Sequence, residues 1–121
     1  MKELVEALTN HLQSALDIAD VILEILQRWT KGDNAGLGET YHCTAQGEAN
    51  WAEFARYIFA VSKEAGGPSA LVQGIPSEEW PTKARRPKNS RLDCLKLAGE
   101  LGLSLPHWKD SVKLVVERLC Q

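Results

Sequence analysis

The residues of this chain with the clearest potential for chemistry form a basic run from Lys83 to Arg91. Five of its nine residues are cationic, although the whole chain has a formal charge of -2: Lys83, Arg85, Arg86, Lys88 and Arg91. Guanidinium groups bind phosphate oxygens through paired hydrogen bonds, and Pro87 favours an extended backbone in the residue before it. The run therefore predicts a binding site for a small anionic ligand. The alternative interpretation is a solvated loop between two elements.

Other patterns that would carry chemistry are missing from the sequence. The stretch Gly36-Leu37-Gly38 lacks the third glycine and the following helix of a dinucleotide-binding loop. Neither Tyr41 nor Tyr57 is followed four residues later by lysine, so the acid pair of many dehydrogenases is absent. His42 and Cys43 are adjacent and would point to opposite faces of a strand, and no Cys-x-x-Cys spacing predicts zinc. The basic run remains the best candidate site.

The composition is typical of one globular domain. The 121 residues are 44% hydrophobic and 25% charged, with an isoelectric point near 5.9. A single basic loop on an acidic chain offers few phosphate contacts, so we expect no nucleic-acid partner. No apolar run approaches the roughly 20 residues that cross a bilayer, and acids occupy the place of an export signal, so we expect no membrane partner. Three cysteines then predict a cytoplasmic protein with reduced, mostly buried thiols.

The first third of the chain has the apolar spacing of a helix. Residues at intervals of three and four would share one face: Leu4, Leu8, Leu12, Ala15, Ala19, Ile22, Leu26 and Trp29. Ser14 and Asp17 resemble a capping box, so the pattern is either one long helix or two helices hinged near residues 10–14. We expect this face to be buried against the chain's own core. Because the stripe is nearly heptad, a partner helix is the alternative.

The middle of the chain predicts a strand, a helix and a strand. The strands are Glu39–Thr44 and Ala70–Pro76, and the helix between them is capped by Asn50 with Glu53 and ends at Gly66. This order favours a right-handed parallel crossover. The residues expected on the buried face of the helix are Trp51, Phe54, Ala55, Ile58 and Phe59.

The last third begins with a long polar loop, Ser77–Lys88. A third short strand is expected at Asn89–Leu92, then a helix over Cys94–Leu101 that Asp93 caps, then a final helix after Pro106. The buried face of the final helix would contain Trp108, Val112, Val115, Val116 and Leu119. The predicted fold class is α/β, with a small parallel sheet of two or three short strands packed by four or more helices.

Several segments resemble the second half of the dTDP-4-dehydrorhamnose reductases, a family of extended short-chain dehydrogenases. They are Ser14–Asp20, Tyr41–Thr44, Asn50–Phe59, Ile75-Pro76, Trp80–Asp93 and Leu105–Trp108. The most specific part is Ala84-Arg85-Arg86-Pro87 with the Asn-Ser and Leu-Asp pairs that follow it. The resemblance covers residues 14–121, so it implies a C-terminal nucleotide-sugar-binding lobe there. Residues 1–13 do not match the family and are expected to be a separate helical segment.

The resemblance also implies a function. Members of the family use NADPH to reduce the 4-keto group of a nucleotide-linked 6-deoxy sugar, the last step in making dTDP-L-rhamnose. This chain would be the lobe that binds the dTDP-sugar, with Arg85 or Arg86 on the diphosphate and Asn89 and Ser90 nearby. The family's cofactor and its catalytic Thr/Ser, Tyr and Lys belong to a Rossmann half that this sequence lacks. We therefore expect no cofactor in this chain and no catalysis by the chain alone, although the parent family is enzymatic.

The alternative function is a non-catalytic protein-interaction module derived from the same family. The long apolar first helix suggests it, and the expected N-terminal helix is a candidate surface for self-association. The preferred nucleotide sugar, the oligomeric state and the origin of the truncation are left open by the sequence.

Overall fold

The computed structural model of the chain describes residues 2–5, 9–10, 13–80, 83–84 and 87–121. Over these residues the fold is mixed, with four α-helices and four short strands. In chain order they are β1 (Lys2–Val5), β2 (Thr9–Asn10), α1 (Ala15–Thr30), β3 (Ala49–Asn50), α2 (Trp51–Glu64), β4 (Val72–Ile75), α3 (Leu95–Leu101) and α4 (Trp108–Leu119). A 3-10 turn, Ser77–Glu79, follows β4. No helix in the described part of the chain is long and apolar enough to cross a membrane.

The strands form two separate pairs. Strands β1 and β4 are parallel, with Lys2 opposite Val72 and Val5 opposite Ile75. Strands β2 and β3 are antiparallel, with Thr9 opposite Asn50. The expected single parallel sheet is therefore wrong in part, because one pair is parallel and the other is antiparallel.

The strand expected at Glu39–Thr44 is wrong, since these residues are irregular. Side chains hold the segment instead: Lys96 donates to Glu39 at 2.7 Å, and Tyr41 donates to Glu100 at 2.7 Å. The parallel partner of β4 is consequently β1, and the crossover between them contains both α1 and α2. The third strand expected at Asn89–Leu92 is not formed either.

The N-terminal helix expected for residues 1–13 is wrong at the described residues, because 2–5 and 9–10 lie in strands. Backbone pairing with β4 and β3 outweighs the local helical spacing, as tertiary context commonly does. Leu8 and Leu12 lie outside the described residues. The helix that does form begins at Ala15, and the Ser14 hydroxyl accepts from the Leu16 N–H at 3.2 Å. The fresh start at Ala15 is thus confirmed, and the division of the chain at residue 14 stays a prediction.

Helix α2 begins and ends where its capping residues predict. The Asn50 side chain accepts from the Glu53 N–H at 2.8 Å, and the Glu53 carboxylate accepts from the Asn50 N–H at 3.0 Å. The helix ends at Glu64, just before Gly66. Four of the five residues expected to face inward are half-buried, but Trp51 is exposed. The burial prediction for Trp51 is wrong because Ala52 takes the innermost position.

The core lies between α2 and α4 and centres on Trp108, which is 3% exposed. Phe54 and Tyr57 of α2 meet its indole edge-on, with ring centroids 5.8 and 5.2 Å away. Ala45 and Ala49 complete the cluster. Edge-to-face aromatic pairs stabilise a core beyond the area that they bury. Trp108 therefore holds α2 and α4 together.

The two C-terminal helices follow the prediction closely. Helix α3 begins at Leu95, where the Asp93 carboxylate accepts from the Leu95 N–H at 2.8 Å, and Gly102 ends it with a φ of 64°. Helix α4 is capped by the imidazole of His107 rather than starting at Pro106. Its expected inner face is confirmed at Trp108 and Val116, but Leu119 is 80% exposed. Leu119 is the last residue of the helix and extends beyond the core.

Candidate functional site

The basic loop, defined here as residues 83–91, is the predicted site. Arg85 and Arg86 lie outside the described residues. Lys83, Lys88, Asn89 and Ser90 are described, and all four are exposed. These four side chains are therefore accessible to a ligand from solvent.

Asn89 stabilises a turn in the C-terminal part of the basic loop. Its amide oxygen accepts from the backbone N–H of Arg91 at 3.0 Å and from the Arg91 Nε at 2.9 Å. A side chain that bonds to backbone two residues further on mimics a backbone turn. Asn89 therefore fixes the turn at residues 89–91, a role that its predicted place near a diphosphate did not include.

Arg91 joins the basic loop to a second loop, residues 45–48. Its Nη1 forms an ion pair with the Glu48 carboxylate, and both side chains are half-exposed. One of the five cations of the run is thus paired with a carboxylate of the chain itself. Sequence reasoning missed Glu48, because the two partners lie 43 positions apart and no local signal links them.

The second loop is itself held against the start of α4. Gln46 and His107 form a parallel bridge, in which the Gln46 N–H donates to Pro106 at 3.0 Å and the Trp108 N–H donates to Gln46 at 3.1 Å. The His107 Nδ1 accepts from the Lys109 N–H at 3.2 Å and so caps α4. These bonds place Glu48 at a fixed point beside the basic loop.

Gly47 makes this contact sterically possible. Its φ is 78°, and a Cβ at this position would lie 2.2 Å from the His107 Nε2. A side chain here would have to push the imidazole away, and the left-handed backbone would add strain.

We expect Gly47→Ala to destabilise the protein by about 2–3 kcal/mol, combining left-handed strain with loss of the His107 cap. Urea unfolding followed by circular dichroism measures the change. The matched control is Gly102→Ala, since Gly102 also has a positive φ, 64°, but has no atom within 4 Å of the added Cβ. Equal destabilisation by the two variants would contradict the role given to the His107 contact.

A cleft of about 470 Å³ opens beside Glu48. Its walls come from α2 and from the start of α4, and the residues are Glu48, Glu53, Arg56, Tyr57, Ala60, His107, Trp108 and Lys109. The Lys109 ammonium lies 5.5 Å from the Tyr57 ring centre and 5.6 Å from that of Trp108. This cation over aromatic rings is an arrangement that suits anionic or aromatic ligand groups. The cleft therefore extends the candidate site beyond the basic loop.

Two titratable groups in the segment before β3 are unsuited to acid–base or nucleophilic work at neutral pH. The hydrogen bond to Glu100 raises the pKa of Tyr41 to about 12. Burial, followed by the neighbouring Cys94, raises the pKa of the Cys43 thiol. A catalytic group works best with a pKa near the ambient pH, and a nucleophilic cysteine needs a lowered pKa.

Gly36 and Gly38 do not form a dinucleotide-binding loop. Gly36 and Gly38 lie in turns after α1, and the chain beyond them is irregular instead of opening a helix. A Cβ on Gly36 would meet the Tyr41 hydroxyl at 3.1 Å and Leu101 at 3.2 Å, so this glycine packs inward. A pyrophosphate-binding glycine loop instead exposes its backbone N–H groups at a helix start.

A family model and a curated relative connect this chain to the same group of proteins. Residues 13–121 match the family model described as "RmlD substrate binding domain". The chain is 42% identical over 103 residues to the dTDP-4-dehydrorhamnose reductase of Sinorhizobium fredii, a match that covers 85% of this chain and 35% of that protein.

Solved structures agree with this relationship. A dTDP-4-dehydrorhamnose reductase from Clostridium acetobutylicum superposes with a TM-score of 0.81 at 29% identity, over 99% of this chain and 39% of the other. The fold is also similar to that of the Bacillus anthracis dTDP-4-dehydrorhamnose reductase solved in complex with NADP, with a TM-score of 0.75 at 24% identity, over 93% of this chain and 36% of the other. The chain thus spans about a third of the length of these relatives.

Proposed function

This chain belongs to the RmlD substrate binding domain family, and on that premise we propose that it binds the nucleotide sugar of a dTDP-4-dehydrorhamnose reductase. The observation that carries the proposal is the 42% identity to the Sinorhizobium fredii reductase across 85% of the chain. The physical role is to hold a dTDP-sugar for the reduction of its 4-keto group in dTDP-L-rhamnose biosynthesis.

The proposed ligand contacts are at the basic loop. Arg85 and Arg86 bind the diphosphate through paired N–H donors, and Asn89 and Ser90 lie beside it. The Asn89 turn and the Arg91–Glu48 ion pair support this assignment, because they hold the end of the loop in one shape before a ligand arrives. A preorganised loop loses less conformational entropy when it binds.

We propose that a different part of the reductase supplies the hydride. NADPH and the catalytic Tyr and Lys would belong to the part of the reductases that this chain does not match, a proposal supported by the lack of a helix-opening glycine loop at Gly36–Gly38. The chain alone is then a binding protein without reductase activity. We place it in the cytoplasm, because its three cysteines are unpaired.

Calorimetry of the 121-residue chain with dTDP, dTMP and thymidine tests the proposal. We expect dTDP to bind and thymidine to bind at least about tenfold more weakly, because charge-assisted phosphate contacts supply roughly 1.5–3 kcal/mol each. dTMP should fall between them. If thymidine binds as tightly as dTDP, or if dTDP gives no heat at millimolar concentration, the diphosphate assignment is wrong.

A second candidate function, a non-catalytic protein-interaction module, is favoured by one observation. Helix α1 has four leucine or isoleucine side chains exposed to solvent, namely Leu16, Ile22, Leu23 and Leu26. Apolar patches of this kind mark interaction surfaces.

A further inference from the structure

The Glu48–Arg91 ion pair joins two parts of the chain that lie 43 positions apart. The Arg91 guanidinium donates from Nη1 to the Glu48 carboxylate and from Nε to the Asn89 amide oxygen at 2.9 Å. The same amide oxygen accepts from the Arg91 backbone N–H at 3.0 Å. The end of the basic loop is therefore held from within by Asn89 and from outside by Glu48.

Glu48 is itself held in place by the core. It lies next to Ala49, and both Ala49 and Ala45 are only 2% exposed. Between them, the Gln46 carbonyl accepts from the N–H of the buried Trp108 at 3.1 Å. Closely packed, hydrogen-bonded backbone moves little. The Glu48 carboxylate therefore meets the basic loop at a defined point.

The bonds of Arg91 favour a supporting role over a ligand contact. A guanidinium binds phosphate best through two parallel N–H donors. A phosphate that took two such bonds from Arg91 would compete with Asn89 for Nε and with Glu48 for Nη1.

We propose that Glu48 is a positioning residue, which holds Arg91, and through it the basic loop, in the shape that binds the diphosphate of the nucleotide sugar. Arg91 is then a support and does not contact the ligand. This role of Glu48 rests on the proposed function and deepens it, because it makes an acidic residue necessary for the binding of an anion.

The role is opposite in sign to simple electrostatics. A carboxylate beside an anion-binding loop ordinarily weakens binding through repulsion. Here the carboxylate is paired with a cation, so the two charges largely cancel for a ligand outside the pair. The pair contributes order instead, since a loop that is already shaped loses less conformational entropy when the ligand binds.

Calorimetry of Glu48→Gln/Arg91→Gln with dTDP tests the role. The double variant removes one negative and one positive charge, so the net charge of the chain is unchanged. We expect the dissociation constant to rise about fivefold, the upper range for the contribution of an exposed ion pair. The binding entropy should become less favourable, because the ligand must then order the loop.

The matched control is Glu39→Gln/Lys96→Gln, which removes a second exposed ion pair. The Glu39 and Lys96 side chains are 55% and 45% exposed, compared with 50% and 45% for Glu48 and Arg91. This pair joins an irregular segment to α3 and includes no residue of the basic loop. The control should change dTDP affinity by less than about twofold. Equal losses in the two double variants would overturn the proposal.

Glu48→Gln alone decides whether Arg91 supports the loop or contacts the ligand. As a support, Arg91 needs Glu48, so this single variant should bind dTDP more weakly although it removes a negative charge. If Glu48→Gln binds dTDP more tightly than the unchanged chain, the released Arg91 contacts the nucleotide and the proposal is wrong.

A measurement without ligand checks the positioning directly. The Arg91 Nε–H should exchange with solvent about threefold faster or more in Glu48→Gln, as observed by NMR, because its guanidinium is then held on one side only. The urea midpoint should stay nearly unchanged, since an exposed ion pair contributes little to stability. Unchanged exchange would overturn the proposal, as would a lowered urea midpoint without any loss of dTDP affinity.

The outcomes separate this role from the ligand assignment. If the unchanged chain gives no heat with dTDP, the proposed function fails and the role of Glu48 fails with it. If the unchanged chain binds dTDP and Glu48→Gln/Arg91→Gln binds it equally well, the proposed function stands and only the role of Glu48 is overturned.

Discussion

Replacing both Arg85 and Arg86 by alanine should raise the dissociation constant for dTDP by about 100-fold. Each guanidinium is proposed to make charge-assisted hydrogen bonds to phosphate oxygens, and each such bond contributes roughly 1.5–3 kcal/mol. Two lost contacts amount to about 3 kcal/mol or more, and every 1.4 kcal/mol or so is a factor of ten in affinity. Calorimetry of the double variant with dTDP measures the change directly.

A charge-matched control separates direct contact from general electrostatics. Lys113→Ala/Arg118→Ala also removes two positive charges, in this case from the exposed side of α4. This control should shift dTDP affinity by no more than about twofold, since exposed charges that do not contact the ligand act through a field that physiological salt screens. Equal losses in the two double variants would mean that net charge, and not the paired arginines, attracts the nucleotide. Unchanged heats in the arginine variant would remove both residues from the site.

Trp108→Ala should destabilise the chain by about 3–5 kcal/mol, the range for deleting a buried aromatic side chain. The indole is 3% exposed and contacts Phe54 and Tyr57 across the interface of the two longest core helices. Its removal would leave a cavity between α2 and α4 that these rings cannot fill. Because most small domains are stable by only about 5–15 kcal/mol, the variant is expected to be partly unfolded at room temperature.

Urea titration followed by far-ultraviolet circular dichroism checks this expectation. Trp108→Phe keeps an aromatic ring and should recover much of the loss. Trp80→Ala removes an exposed indole of the loop after β4 and should cost less than about 1 kcal/mol. Similar costs for Trp108→Ala and Trp80→Ala would contradict the central place of Trp108 in the core.

Local signals predicted the helices well. Ser14 and the Asn50–Glu53 box fixed the starts of α1 and α2, and Gly66 and Gly102 fixed two ends, because caps act within one turn of the residue that carries them. Burial on α1 was harder to predict. Apolar periodicity identifies an amphipathic face but does not say whether that face meets the same chain, and here it meets solvent.

Strand pairing could not be predicted in the same way. Glu39–Thr44 has the composition of a strand, but its polar groups bond to α3 side chains, and the segment finds no ladder among the described residues. Residues 2–5 have helical spacing and become a strand, since β4 offers them a backbone partner. Strand formation depends on which segment lies opposite as a pairing partner, and the whole fold determines that partner.

The ligand contacts of the candidate site stay a prediction, and the residues that support its loop could not be predicted from the sequence. The basic run gave Arg85, Arg86, Asn89 and Ser90 from sequence and resemblance. Glu48, Gly47 and His107 support the loop from distant parts of the chain, and only their positions in space connect them to it.

The parallel pairing of β1 with β4 has a consequence for how the protein is made. During synthesis Lys2–Val5 leave the ribosome before α1 and α2, and their partner Val72–Ile75 emerges only after both helices. Strand β1 therefore stays unpaired until both helices have been synthesised, since closing so distant a contact is slow compared with forming a helix. Nascent chains should be most vulnerable to proteases and aggregation in this interval.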